Sequence, residues 1–239
     1  MDRFRVRAGS SASLERSAAI PTGCVISPPG SGSVVGELGS VLGDPTIDAV
    51  VLATPHSLHC EQVVAAARAG KAVFCEKPLT LTKAEAARAI EACRTAGVVL
   101  GTGTDKRFFP SLRELLRLVK GGELGKILHL EAHFSNEVAG TASEWRYSLE
   151  ESPAGGMTGT GIHMLDALVA LAGPVRRVQA LLLSHKPPPD PHDSLSALLE
   201  FASGVSGTLA MVRSSPAYFR LHASLAAMPR PRPLAGPSW

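Results

Sequence analysis

Little in this chain is aromatic: Phe, Tyr and Trp make up 5% of its 239 residues. Ala, Leu and Val must therefore fill most of the core. Charge of one sign is also missing. Lys and Arg number 24 against 21 Asp and Glu, a net charge of +3, and no basic stripe gathers them. That argues against nucleic acid as the main partner. No apolar run approaches the ~18 residues of a membrane-crossing helix. The first residues hold no apolar stretch of the secretory kind. Cys24, Cys60, Cys75 and Cys93 show no CxxC spacing, and they read as reduced thiols of a cytoplasmic protein. The remaining balance, 45% hydrophobic and 19% charged, is that of an ordinary globular chain.

What is present is alternation. Ala49–Ala53 is a continuous apolar run, expected as a strand buried on both faces. His59–Ala69 reads as a helix closed by Gly70, and Lys71–Cys75 as the next strand. Thr82–Ala96 has helical spacing, a possible Thr82/Glu85 capping box and Gly97 behind it. Val98–Gly101 is a third strand. Three such repeats with short links predict parallel pairing. After an amphipathic helix over Ser111–Lys120 the grammar changes. Ile127–Phe134 alternates with period two, as an antiparallel strand with one solvated face does. Val178–Ser184 is similar, and Ser194–Phe201 with Ser206–Arg213 reads as a hairpin. A helix over Gly161–Ala172 lies between them.

The expected fold class is α/β: an incomplete Rossmann-like parallel sheet over 34–104, then an α+β half over 105–225 built on a mainly antiparallel sheet. Residues 1–33, rich in Gly, Ser and Ala, read as a poorly ordered or atypical tail. Arg3, Arg5 and Arg7 hint at an organellar transit peptide, which Asp2 and Glu15 interrupt. Residues 226–239 form a Pro-rich tail.

Glu76-Lys77-Pro78 ends the second strand. In open parallel sheets that end is where ligands bind. A partly desolvated lysine trades its proton more readily than a free one. Glu76 could be its ion partner; a surface Glu-Lys pair before a turn is the plainer alternative. His163 and Asp166 share one helix face three residues apart. An imidazole held by a carboxylate is a proton-transfer device, and equally a way to satisfy a buried helix. His56 and His59 near Cys60 could pair on a metal, but no further ligand set has metal spacing.

Thr54-Pro55-His56 with His59, then Glu76-Lys77-Pro78, then Gly161-Ile162-His163 with Asp166, in that order, resemble the Gfo/Idh/MocA family of nicotinamide-dependent sugar and polyol oxidoreductases over about residues 34–222. The resemblance implies NAD or NADP as cofactor and hydride transfer to or from a sugar, polyol or related hydroxyl compound. It implies that Lys77 exchanges the hydroxyl proton and that His163 binds the same hydroxyl. Thr54, Pro55, His56, His59 and Glu76, with Lys77, are implied on the cofactor side. Arg107, Trp145, Arg146, His163 and Asp166 are implied on the substrate side. A homo-oligomer through the antiparallel sheet, with no nucleic acid or membrane partner, completes the expectation.

Two departures stand against it. The family often has an aspartate four residues before its histidine, where this chain has Gly159. No strand–GxGxxG–helix occurs either; Gly30-Ser-Gly32 through Gly36 has similar spacing but reads as a linker behind Pro28-Pro29. The expectation is a chain truncated at its start, with truncation at its end as a second reading. Losing three charge-assisted backbone bonds would weaken cofactor binding on the order of a thousandfold. The alternative is a non-catalytic remnant that keeps the sheet as an interaction surface.

Overall fold

The computed structural model describes residues 25–26, 33–34, 37–135, 144–185, 192–213 and 218–225. The expected tails, the Gly30–Gly36 reading and Cys24 lie largely or wholly outside them. Two compact units divide the chain. The first runs to Thr104 and includes the segment Ala139–Ile162; the second takes Asp105–Val138, His163–Lys186 and His192 onward.

In the first unit, two short strands, β1 (Val25–Ile26) and β2 (Ser33–Val34), pair antiparallel. A short helix α1 (Leu38–Gly43) follows. Strands β3 (Ala49–Leu52), β4 (Ala72–Cys75) and β5 (Leu100–Thr102) form one parallel sheet in the order β3-β4-β5. Helices α2 (His59–Arg68) and α3 (Lys83–Ala96) supply the crossovers that parallel pairing requires. The capping box is present: Thr82 Oγ1 accepts from Glu85 N–H, and Glu85 Oε2 accepts from Thr82 N–H. At the other end of α3, Gly97 closes the helix at φ 67°, a conformation that side chains with a Cβ disfavour.

The core of this unit is the inner face of the sheet, Val50, Leu52, Val73 and Cys75, against Cys60, Val63, Ala66 and Ala67 of α2 and Ala89 and Cys93 of α3. Burying a side chain such as Leu52 is worth about 1.5–3 kcal/mol. The expectation that the strand at Ala49–Ala53 is buried on both faces is corrected. Burial alternates, and Val51, Phe74 and Val99 are exposed, because both crossover helices use the opposite face. Burial pushes the Cys75 thiol up to about 12, so it behaves as an apolar filler.

Buried Lys71 is satisfied by main chain. Its Nζ donates to Asp44 O at 2.9 Å and to Ile47 O at 2.8 Å. The ammonium thereby holds the turn between α1 and β3.

The second unit opens with α4 (Pro110–Lys120), which has Pro at its first position. Five strands follow: β6 (Ile127–Ser135), β7 (Val175–Leu183), β8 (Ser194–Phe201), β9 (Ser206–Val212) and β10 (Tyr218–Leu225). Their order is β10-β6-β9-β8-β7. The β8–β9 hairpin forms as the sequence predicts. β6 differs: it pairs antiparallel with β10 but parallel with β9, so the sheet is mixed. Leu130, Leu199, Phe201, Leu209 and Met211 are buried on its inner side, and Met164 and Leu168 of α5 (Ile162–Ala172) are buried too.

Candidate active site

The first unit gathers its site residues at the carboxyl ends of β3 and β4. After β3 the chain runs through Thr54-Pro55 into a 3₁₀ turn, His56–Leu58, and then α2. His59 has no exposed surface. Its Nδ1 lies 2.8 Å from Pro78 O and its Nε2 lies 3.0 Å from Thr54 O. The ring therefore ties the end of β3 to the turn after β4. It offers a ligand no surface of its own. Thr54 Oγ1 donates to Gln62 Oε1 at 2.6 Å.

Lys77 follows β4, joined to Pro78 by a cis peptide bond. Its Nζ donates to the Gly159 carbonyl at 2.5 Å. Glu76 Oε2 accepts from the Lys77 main-chain N–H at 3.2 Å. Gly103 leaves room for that carboxylate: a Cβ there would stand 2.8 Å from Glu76 Oε2. Gly159 lies in a π-type turn, Met157–Gly161, that leads into α5. Such turns recur at functional sites. A backbone carbonyl meets the lysine here, and a Cβ on Gly159 would meet nothing within 4 Å.

His56 is buried. Its Nδ1 donates to Glu151 O at 2.6 Å, and Trp145 packs edge-on against it with ring centroids 4.9 Å apart. Arg146 lies over the Trp145 ring at 4.5 Å. Burial, first of all, holds His56 below its ordinary value; His59 and Lys77 push the same way, while Glu151 opposes them. Glu151 Oε2 accepts from Ser57 N–H at 2.9 Å, and its Oε1 accepts from Ser57 Oγ.

In the second unit, the expected His163–Asp166 pairing is corrected. Asp166 is held by Arg107 through a two-pronged contact: Nε–H to Oδ2 at 2.8 Å, and Nη2 to Oδ1. The planar guanidinium matches both carboxylate oxygens, which an imidazole one turn away cannot do. The carboxylate at His163 is instead Asp105, whose Oδ1 lies 3.0 Å from Nδ1. Burial raises the Asp105 carboxyl. The Lys106 hydrogen bond and charge, with the His163 ring, outweigh it, and the net displacement is downward. Lys106 also lies over the Phe109 ring at 4.4 Å.

Two family models match this chain. One, an oxidoreductase family with an NAD-binding Rossmann fold, matches residues 4–104; the other, the GFO/IDH/MocA C-terminal domain, matches 112–226. The chain belongs to the Gfo/Idh/MocA oxidoreductase family. Within that family it is 35% identical over 158 residues to 1,5-anhydro-D-fructose reductase of Ensifer adhaerens, covering 66% of this chain and 46% of that protein. It is 32% identical over 181 residues to scyllo-inositol 2-dehydrogenase (NAD(+)) of Bacillus subtilis, covering 74% and 52%. The chain thus spans about half the length of these family relatives. Among solved family structures, levoglucosan dehydrogenase in complex with NADH and levoglucosan aligns with a TM-score of 0.75 at 25% identity, over 80% of this chain and 55% of that one. The WlbA dehydrogenase of Bordetella pertussis, in complex with NADH and UDP-GlcNAcA, aligns with a TM-score of 0.75 at 25% identity, over 80% and 60%.

Sequence reasoning missed Ser57, Asp105, Glu151 and the Gly159 carbonyl. Asp105 directly precedes the Lys106-Arg107 pair, which was a usable signal. Glu151 and the carbonyl carry none, since their partners lie 94 and 82 positions away.

Proposed function

We propose that this chain carries out NAD(P)-dependent hydride transfer on a hydroxyl-bearing carbon of a sugar, polyol or related compound. The observation that carries the reading is Lys77, presented where β4 ends and fixed by a main-chain acceptor from the Met157–Gly161 turn. In the oxidative direction a bound nicotinamide would supply the acceptor for the hydride lost from the substrate carbon. Lys77 would take the O–H proton of the substrate, leaving a carbonyl. The protein supplies position and charge. In the second unit, His163, backed by Asp105, and Arg107, fixed by Asp166, are groups suited to hydrogen-bonding a hydroxyl compound; in the first unit, Trp145-Arg146 suit a sugar ring. Thr54, Pro55, His56 and Glu76 line the nicotinamide side at the strand ends, where open α/β sheets bind ligands, and His59 sets the position of the Thr54 carbonyl.

These residues suit the nicotinamide half of the cofactor. Among the described residues no glycine turn feeds a helix N-terminus in the manner of a pyrophosphate cradle. Loss of such a turn would weaken binding on the order of a thousandfold, from micromolar to millimolar. Calorimetric titration with NADH and NADPH, with hydroxyl substrates added, tests the reading. Enthalpy changes that saturate at millimolar cofactor support it; no binding by either cofactor would refute it.

We further propose that the protein is cytoplasmic and forms a homo-oligomer. The thiols of Cys60, Cys75 and Cys93 are free, which suits a reducing compartment. Among the described residues no helix is long and apolar enough to cross a membrane. The outer face of the mixed sheet exposes Leu181 and Leu198, an apolar surface that a second copy would cover. Sedimentation velocity should show a dimer or larger, and Leu181→Lys with Leu198→Lys should return a monomer. A monomeric unmodified chain would refute this surface.

A further inference from the structure

Glu151 holds two consecutive residues of the loop after β3 from a position 94 and 95 residues later in the chain. Its carboxylate accepts from the N–H and the hydroxyl of Ser57; its main-chain carbonyl accepts from His56 Nδ1. We propose that Glu151 is a positioning residue, fixing the ring of His56 and the approach of the Gly159 carbonyl to Lys77. The proposal rests on the oxidoreductase reading above.

Several features of the site carry it. Glu151 is 9% exposed, and a carboxylate taken that far from water needs full hydrogen bonding to remain charged. The donor it uses, Ser57 N–H, lies in the turn that opens into α2, where the helix dipole favours a negative group. A carbonyl oxygen can only accept. His56 Nδ1 must therefore carry the hydrogen, which leaves Nε2 as an acceptor in the neutral ring. Burial favours that neutral ring.

The same stretch of chain continues to Gly159, whose carbonyl meets the Lys77 ammonium. It also begins with Trp145, which packs on His56. Inside the stretch, Ser148 Oγ accepts from Glu151 N–H at 3.2 Å and Ser152 Oγ donates to Arg146 O at 2.8 Å, and these bonds tie the stretch to itself. Glu151 is thus the point at which this piece is fastened to the β3 loop. A carboxylate that only stabilised the fold would have no reason to govern the ring of His56 or the proton-transfer step.

The experiment pairs long-range ¹⁵N–¹H NMR of the histidine rings with kinetics on the full chain and its variants Glu151→Gln and Ser57→Ala. In the unmodified chain His56 should show hydrogen on Nδ1. In Glu151→Gln the weaker hold on Ser57 should let the main-chain carbonyl of residue 151 shift from Nδ1, and the ring should then populate both tautomers. The kcat should fall on the order of tenfold to a hundredfold, the range expected for misplaced groups. The substrate KM should stay within about twofold, as befits a loss confined to the chemical step. Ser57→Ala keeps one of the carboxylate's two donors and should lie between. If Glu151→Gln fails to fold, Ser57→Ala alone decides by the same two readouts. A variant that melts lower yet keeps the His56 tautomer and kcat would overturn the proposal. If the unmodified chain turns over no substrate, the oxidoreductase reading falls, and the His56 tautomer still decides whether Glu151 governs that ring.

Discussion

Replacing His59 by Leu should separate a structural histidine from a ligand-binding one. The ring is fully buried, with Pro78 O at 2.8 Å and Thr54 O at 3.0 Å. A neutral imidazole donates from one nitrogen, so it serves one of these carbonyls at a time. Leucine fills a similar volume but donates nothing. One buried carbonyl is then orphaned, at a cost of about 1–3 kcal/mol. For a chain of this size each kcal/mol moves Tm by about 2–4 °C, so a drop of about 2–12 °C is expected. His59→Gln keeps a side-chain N–H donor and should recover part of the loss. Thermal unfolding by circular dichroism measures both. A Leu variant that melts with the unmodified protein would refute the bridging argument, as would a Gln variant no better than Leu.

Other outcomes follow from the same geometry. Lys71→Met removes an ammonium that serves two carbonyls and should cost about 2–3 kcal/mol in urea unfolding. Asp166→Asn weakens its contact with Arg107; because the Arg107 side chain is 40% exposed, the loss should be only about 1 kcal/mol. His56 is held below 6.5 by burial, so the unfolded chain binds its proton first as pH falls. Its contribution to stability is full above pH 6.5 and is lost as pH falls through the lower folded value. His56→Phe should flatten the slope of Tm against pH in that acid window, and an unchanged slope would contradict the assignment.

The parallel half was legible because local signals agree there. Apolar runs at Ala49–Leu52 and Ala72–Cys75, the Thr82/Glu85 box and Gly97 all point to the same repeat. Pairing partners were less legible. Period-two burial in β6 shows one solvated face but does not say that β9 runs parallel beside it, because that choice is made by a strand far along the chain. The exposed face of β3 and β4 was misread for a related reason: composition shows that Val51 and Phe74 are apolar, not whether anything covers them. Among the candidate residues, Lys77 and His163 were visible from their motifs. The partner of His163 was not, because helix spacing offered Asp166 while Arg107 takes that carboxylate and Asp105 approaches the ring.

The central claim is that Lys77 exchanges the hydroxyl proton in a nicotinamide-dependent reaction. It is tested most directly by following nicotinamide absorbance at saturating NAD or NADP across a panel of sugars and polyols, for the unmodified chain and Lys77→Met. The account predicts substrate-dependent reduction of the cofactor by the unmodified chain. It predicts none above background in the variant, with both proteins giving the same circular dichroism spectrum. Equal turnover by a folded Lys77→Met variant would contradict it.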